Sequence, residues 1–214
     1  MEQVVDAFFA AGAATAAVVG APEVAAAWSA PSAVAGYRLG ELAGHTLLAT
    51  ARLETVLTEE VEPDTVVDLA GFYGPNRVDE AAGVDDGLHP LIRAAAADVA
   101  RGGPDEVAAE LRAVLDRLQD VLPTADPARL VSVVNVRGGA TPLETYLRTR
   151  VVELVVHGDD LAASVGLAYE VPAAAAEVTL GVCLELARAR SGDLAVVRAF
   201  TRRERADPET LRVL

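Results

Sequence analysis

Leu143-Glu-Thr-Tyr-Leu-Arg-Thr-Arg-Val-Val-Glu153-Leu-Val-Val-His157-Gly-Asp-Asp160-Leu-Ala-Ala-Ser-Val165 is the stretch whose reading decides the fold. Thr141-Pro142-Leu143-Glu144 opens it as a cap, a Pro at the first helical position and an acidic first turn, and the helical pattern then runs to about Val165. With Glu153 as origin on a helical wheel, Tyr146, Thr149, Arg150, His157, Asp160 and Ser164 all fall within about 60° of it. Leu147, Val151, Leu154 and Leu161 flank this polar stripe on one side, Val152, Val156 and Ala163 on the other. Arg148 and Asp159, with Val155 beside them, fall on the far side, where solvent is expected. A polar stripe walled by apolar residues on both flanks reads as a seam facing the interior of a helical bundle.

Outward from this helix, residues 3 to 19 carry apolar residues at helical spacing and continue to Trp28 past a break at Gly20-Ala21-Pro22. Pro31 and Gly36 punctuate a loop, and Leu39, Leu42, Leu47, Leu53 and Leu57 stripe a second long helix from Arg38 to about Thr58. Residues 59 to 88 are acidic and interrupted by Gly and Pro, with Val66-Val67-Asp68-Leu69 the strand-like piece. Pro90 opens a helix to Arg101, and Gly102-Gly103-Pro104 joins it to another from Asp105 to Leu122. Val131 to Arg137 reads as a short strand or extended connector. A further helix spans 172 to 190, and the tail from Leu194 is mixed. The pattern predicts an all-α, up-down four-helix bundle over residues 1–170, with an extra C-terminal helix and short tail over 171–214 packed on it.

Composition narrows the function. The chain has 214 residues, 52% of them hydrophobic, and about one in five is Ala. Its 32 acidic residues against 18 basic ones, all Arg, give a net charge of −14, which repels phosphate backbones and anionic lipid heads. Nucleic acid and membrane are therefore not expected as partners. Cys183 is alone, so neither an internal disulfide nor a Cys-based zinc cage is available. The uncharged stretch Ala7 to Pro22 is shorter than a membrane span, and Glu2 and Asp6 precede it where a signal peptide is positive. The expected location is the cytoplasm.

Glu153 and His157, four residues apart, share one helix face and can direct carboxylate and imidazole at one ion, although such a pair also forms simply as a local hydrogen bond. A third donor has to come from another element, and His45 and His89 are the remaining imidazoles. His45 lies mid-helix among Leu42, Ala43, Leu47 and Leu48. His89 precedes Pro90 and belongs to a loop or helix start. Trp28 and Tyr37 read as packing residues, Cys183 as a buried small hydrophobe, and the Arg202-Arg203-Glu204-Arg205 run as a solvated face.

Two blocks resemble a known family. Trp28-Ser-Ala-Pro-Ser-Ala-Val-Ala-Gly-Tyr-Arg-Leu-Gly-Glu-Leu-Ala-Gly-His45 is similar to its pattern of Trp, a Pro/Ser loop, Gly-aromatic, and a helix with an acidic residue, Leu and His. Gly138-Gly139 through Glu153, His157 and Asp160 resembles its second block. The family is the mycothiol-dependent maleylpyruvate isomerase type of the DinB-like metalloenzyme superfamily, and the resemblance spans about residues 1 to 170. It implies a four-helix bundle whose divalent metal, typically zinc, is held by the residues matching His45, Glu153 and His157. It also implies an actinobacterial host with mycothiol as the thiol cosubstrate.

The chain departs from the pattern at Asp159, where the family often has an aromatic residue, and in a C-terminal part smaller than that of the isomerases. A basic residue of that part assists catalysis in the family, and Arg202 or Arg203 is the candidate counterpart here. The function expected from the resemblance is a metal- and thiol-dependent isomerase or S-transferase acting on a small electrophile, with a homodimer compatible with it. Tyr146, Arg150 and Asp160 on the ligand stripe are the candidates for orienting an imidazole or holding substrate and thiol. A non-catalytic ligand-binding or stress-associated bundle, and a hydrolase using zinc-bound water, draw on the same three ligands.

Overall fold

The structure is a computed structural model that describes residues 1–74 and 89–214; the side chain of His89 lies outside the described part. It contains helices α1 (Glu2–Val19), α2 (Pro22–Ala26), α3 (Leu39–Val56), α4 (Leu69–Tyr73), α5 (His89–Ala100), α6 (Pro104–Gln119), α7 (Leu143–Val165), α8 (Ala173–Ser191) and α9 (Asp193–Thr201). Strands β1 (Thr65–Val66), β2 (Leu130–Ser132) and β3 (Gly139–Pro142) form a small sheet in the order β1-β3-β2. The all-α bundle expected from the apolar stripes is the architecture found.

Four helices close a ring in which α1 packs on α7, α7 on α3, α3 on α6 and α6 back on α1. Each turns its periodic apolar face inward: Phe8 and Ala11 from α1, Leu42 and Leu53 from α3, Leu111 and Val114 from α6, Leu147, Val151 and Leu154 from α7 are all buried in one core. Helix α5 lies outside the ring against α3, so the region 90 to 122 supplies one ring helix and one flanking helix, parted at Gly102-Gly103. The close approach of α5 to α3 rests on Gly44 of α3, where an added Cβ would stand 2.5 Å from the Ala96 carbonyl oxygen of α5. Trp28 closes the same flank by donating from Nε1 to the Ala100 carbonyl at 3.0 Å. By length and composition α1 would pass as a membrane span, but more than half of it is buried inside the bundle.

Three details depart from the sequence reading. Pro142 is the last residue of β3 and the N-cap of α7, not its first helical residue. The reason is β pairing: β3 runs antiparallel to β2 and parallel to β1, and Thr141 donates its hydroxyl to the Val67 carbonyl at 2.7 Å instead of capping the helix. Val155, expected at the solvent, is buried because α8 packs on α7 along that side; the exposed positions are Val156, Asp159 and Ala163. Arg148 faces the same way and pairs with Glu185 of α8 at 2.8 Å. Finally, the mixed tail contains α9, which begins after Gly192 at φ 79°.

Candidate metal centre

Helices α3 and α7 bring the two halves of the site together. Both run through the core beside one another, and His45 and Glu153 sit on their facing sides. His45 Nε2 lies 3.4 Å and His157 Nε2 3.3 Å from the same oxygen, Glu153 Oε2. The three atoms that these residues could offer to an ion lie within 4.8 Å of one another, and the two imidazole planes are nearly perpendicular, at 80°. Each side chain keeps about a fifth to a quarter of its surface accessible, so the cluster is sunk in the bundle but reachable.

The imidazole of His157 is tied from behind. Its Nδ1 faces Asp160 Oδ2 at 3.1 Å, one turn on, which leaves Nε2 directed at Glu153 and His45. That carboxylate–imidazole arrangement is the one that fixes tautomer and ring orientation in metal-binding histidines. A hydrogen-bonded run ties this turn to the loop before α3: Ser164 donates to the Asp160 carbonyl at 2.6 Å and accepts from the Ala33 amide at 2.8 Å. Tyr37, at the end of that loop, has its ring centre 5.9 Å from that of His45. Its place beside His45 was not visible in the sequence, where a loop tyrosine carries no periodic signal.

Electrostatics mark the cluster as unusual. Burial pushes the Glu153 carboxyl upward, but contact with His157 and His45 and the nearby Arg150 guanidinium together hold it well below the usual carboxylate range. Burial likewise disfavours charge on His157, yet Asp160 and Glu153 overcome it and push its pKa up to about 9. Without a cation, therefore, a carboxylate and an imidazolium neutralise each other in a space flanked by Val151, Val152 and Leu154.

Arg150 and Tyr146 adjoin the cluster. The Arg150 guanidinium lies 4.8 Å from the Tyr146 ring centre and 5.9 Å from that of Phe72, with Nη2 3.9 Å from Glu153 Oε1. Phe72 comes from α4, a short helix capped by Asp68, whose side chain accepts from the Gly71 amide at 2.8 Å. The sequence reading passed over α4, although Asp68 before Leu69-Ala-Gly-Phe-Tyr73 is a usable N-cap signal. Next to Phe72, the Tyr73 hydroxyl is enclosed without a hydrogen-bond partner among the described residues, and burial pushes its pKa upward. Arg202 and Arg203 do not join this group. They are exposed at the end of α9, which packs on α8 and the following turns, and α8 stands between them and the ring.

The donor set itself fits a divalent ion. Two neutral imidazoles and one carboxylate within this spacing form the three-ligand set that leaves a position open, as catalytic zinc sites do. Borderline ligands of this kind suit zinc and its first-row neighbours.

The fold and the cluster define a helical bundle with a His-Glu-His candidate metal centre between its helices. Residues 8–162 match the family model of the mycothiol maleylpyruvate isomerase N-terminal domain, and the chain belongs to that family. No curated protein and no solved structure gives a significant match.

Proposed function

We propose that this protein is a divalent-metal-dependent enzyme that uses mycothiol as cosubstrate and acts on a small electrophile as an isomerase or S-transferase. The observation that carries the reading is the convergence of His45, Glu153 and His157 inside the segment that matches the family model. These three residues would hold the ion, with zinc the metal best suited to the set. A divalent cation at that position supplies the positive charge that keeps a thiol ionised near neutral pH.

The remaining work falls to the chain's own side chains. Asp160 orients His157, while Tyr146 and Arg150 form the wall beside the cluster against which substrate and thiol are positioned. Cys183 lies on α8 outside the cluster, and burial pushes its thiol pKa up, so the sulfur nucleophile is supplied by the cosubstrate. Addition of that sulfur to a carbon–carbon double bond, rotation about the resulting single bond and expulsion of the thiol yield an isomer. Attack with departure of a leaving group yields a conjugate. A thiol cosubstrate fits a reducing cytoplasm, and the Arg-only, Ala-rich composition fits an actinobacterial host.

The test is a screen of small electrophiles with purified protein, with and without zinc and with and without mycothiol. Turnover that needs both, and that is lost in Glu153→Ala but kept in Cys183→Ser, is the expected result. Equal product with no added thiol would refute it and favour metal-assisted hydrolysis.

A further inference from the structure

Helix α8 leaves one side bare. Ala175, Val182 and Leu186 are buried against the bundle, whereas Glu177, Leu180, Gly181, Leu184 and Arg188 lie exposed within about 100° of one another on the other side. Leu180 is 68% and Leu184, one turn on, 42% exposed. Of the thirteen large apolar residues exposed among the described residues, eight fall between Val171 and Leu214, so the bare apolar surface is concentrated in this part of the chain and not scattered. Gly181 adds an independent observation. A Cβ added at any other glycine inside a described helix, Gly12, Gly40, Gly44, Gly71 or Gly158, would come within 3 Å of a neighbouring atom; at Gly181 it would meet nothing within 4 Å. Glycine weakens a helix relative to alanine, and no contact within the described residues asks for it here. A second backbone laid across this point would.

The charges on this stripe are self-complementary. Glu177 stands five residues before position 182 and Arg188 six after it, with Leu180 and Leu184 evenly on either side. Two α8 helices crossed antiparallel about a two-fold axis at that position therefore set each Glu177 against the partner's Arg188 and each Leu180 against the partner's Leu184. Both charges are open to such a contact. Glu177 accepts from Gln3 Nε2 at 3.1 Å and pairs with no cation among the described residues. Arg188 holds Asp193 with Nε and Nη2, at 2.7 and 3.4 Å, which leaves Nη1 over. Glu185 is drawn off to Arg148 of α7 at 2.8 Å and does not oppose the pairing. On a chain of net charge −14, whose copies repel one another in general, a stripe carrying one charge of each sign is a place where two copies can meet.

We propose that the exposed side of α8 is the interface for a second copy of this chain, packed antiparallel about a two-fold axis near residue 182. The candidate metal centre lies in the bundle core between α3 and α7, so the pairing is independent of the ion and of the proposed chemistry. An interface centred on one helix pair is small, and a dissociation constant of about 1 to 100 µM is expected.

Sedimentation equilibrium of the full chain between about 5 and 500 µM tests this. A monomer–dimer equilibrium is expected for the wild type. Leu180→Glu and Glu177→Arg should each weaken it at least about tenfold, by placing a charge in the apolar centre or like charges at both ends. Gly181→Gln should weaken it too while helicity by circular dichroism is kept or raised, since the added side chain props the helices apart but favours α8 itself. Arg188→Glu should be monomeric alone, yet mixed with Glu177→Arg it should restore the dimer, because both ends of the mixed pair again carry opposite signs. A folded wild type that stays monomeric at about 500 µM would overturn the proposal, and if that monomer co-sediments with phosphatidylglycerol vesicles the face belongs to a membrane. A dimer that survives Leu180→Glu unchanged would overturn it by showing that another face pairs, and a mixture that stays monomeric would overturn the antiparallel arrangement. If Arg188→Glu fails to fold on losing Asp193, Leu180→Glu and Glu177→Arg decide.

Discussion

His45 of α3 and Glu153 of α7 meet with Nε2 3.4 Å from Oε2, far apart in sequence and adjacent only because the two helices share the bundle core. Glu153 is also the oxygen donor that His157 faces, so the carboxylate is the hub of the cluster. Glu153→Ala should therefore abolish high-affinity zinc binding while circular dichroism stays helical, since the ring is packed by Leu, Val and Ala stripes. A variant that retains wild-type zinc affinity would remove Glu153 from the ligand set.

Proton release should accompany metal uptake. With its pKa pushed up to about 9, His157 is protonated in the metal-free protein at neutral pH and must lose that proton to become a ligand. Calorimetry near pH 7 in buffers of different ionisation enthalpy should report close to one proton released per zinc. A binding enthalpy independent of buffer would contradict this.

The same raised pKa sets the pH dependence of metal-free stability. The imidazole of the unfolded chain titrates near 6.5, so the stability contributed by charged His157 is fully present below about pH 6.5 and lost as pH rises through about 9. Glu153 acts in the opposite sense: its depressed pKa contributes stability above the ordinary carboxylate range, lost as pH falls through its folded value. The melting temperature of metal-free protein should thus fall between about pH 6.5 and 9, and less so in Asp160→Asn, which removes one of the two carboxylates that raise His157. A melting temperature that rises over this interval would show that the pairing is not as described.

Asp160→Asn should also weaken zinc binding by about 10- to 100-fold, the usual effect of losing the carboxylate behind a metal-binding imidazole. Competition with a chelator of known affinity measures it.

Two substitutions separate packing from chemistry. Tyr73→Phe removes an enclosed hydroxyl that has no partner among the described residues, and should leave stability unchanged or raise it by about 1 kcal/mol. Gly44→Ala forces a methyl against the Ala96 carbonyl, where backbone must yield, and should cost about 1 to 3 kcal/mol while loosening the helix that carries His45. Urea unfolding of both variants checks the signs.

Periodicity made the helices legible because each ring helix buries one stripe, and the polar stripe of α7 stood out against two apolar flanks. What it did not reveal follows from neighbours that are remote in sequence. Val155 looks solvent-facing on a helical wheel until α8 covers it. Pro142 looks like a helix start until β2 and β1 claim the residues before it. Tyr37 and Phe72 reach the site from a loop and a helix of a single turn, where no repeat exists to read. Arg150 was visible as a member of the stripe, but its stacking over Tyr146 and Phe72 emerges only once α4 is folded against α7.

The most direct measurement is the zinc content of the wild-type chain and of His45→Ala after equilibration with zinc and removal of the excess. His45 is the candidate ligand on α3, so its loss leaves only the local pair on α7. A stoichiometry of about one zinc per wild-type chain and close to none in a still-helical His45→Ala is predicted. Equal zinc in the two proteins, or none in the folded wild type, would contradict a metal centre shared by α3 and α7.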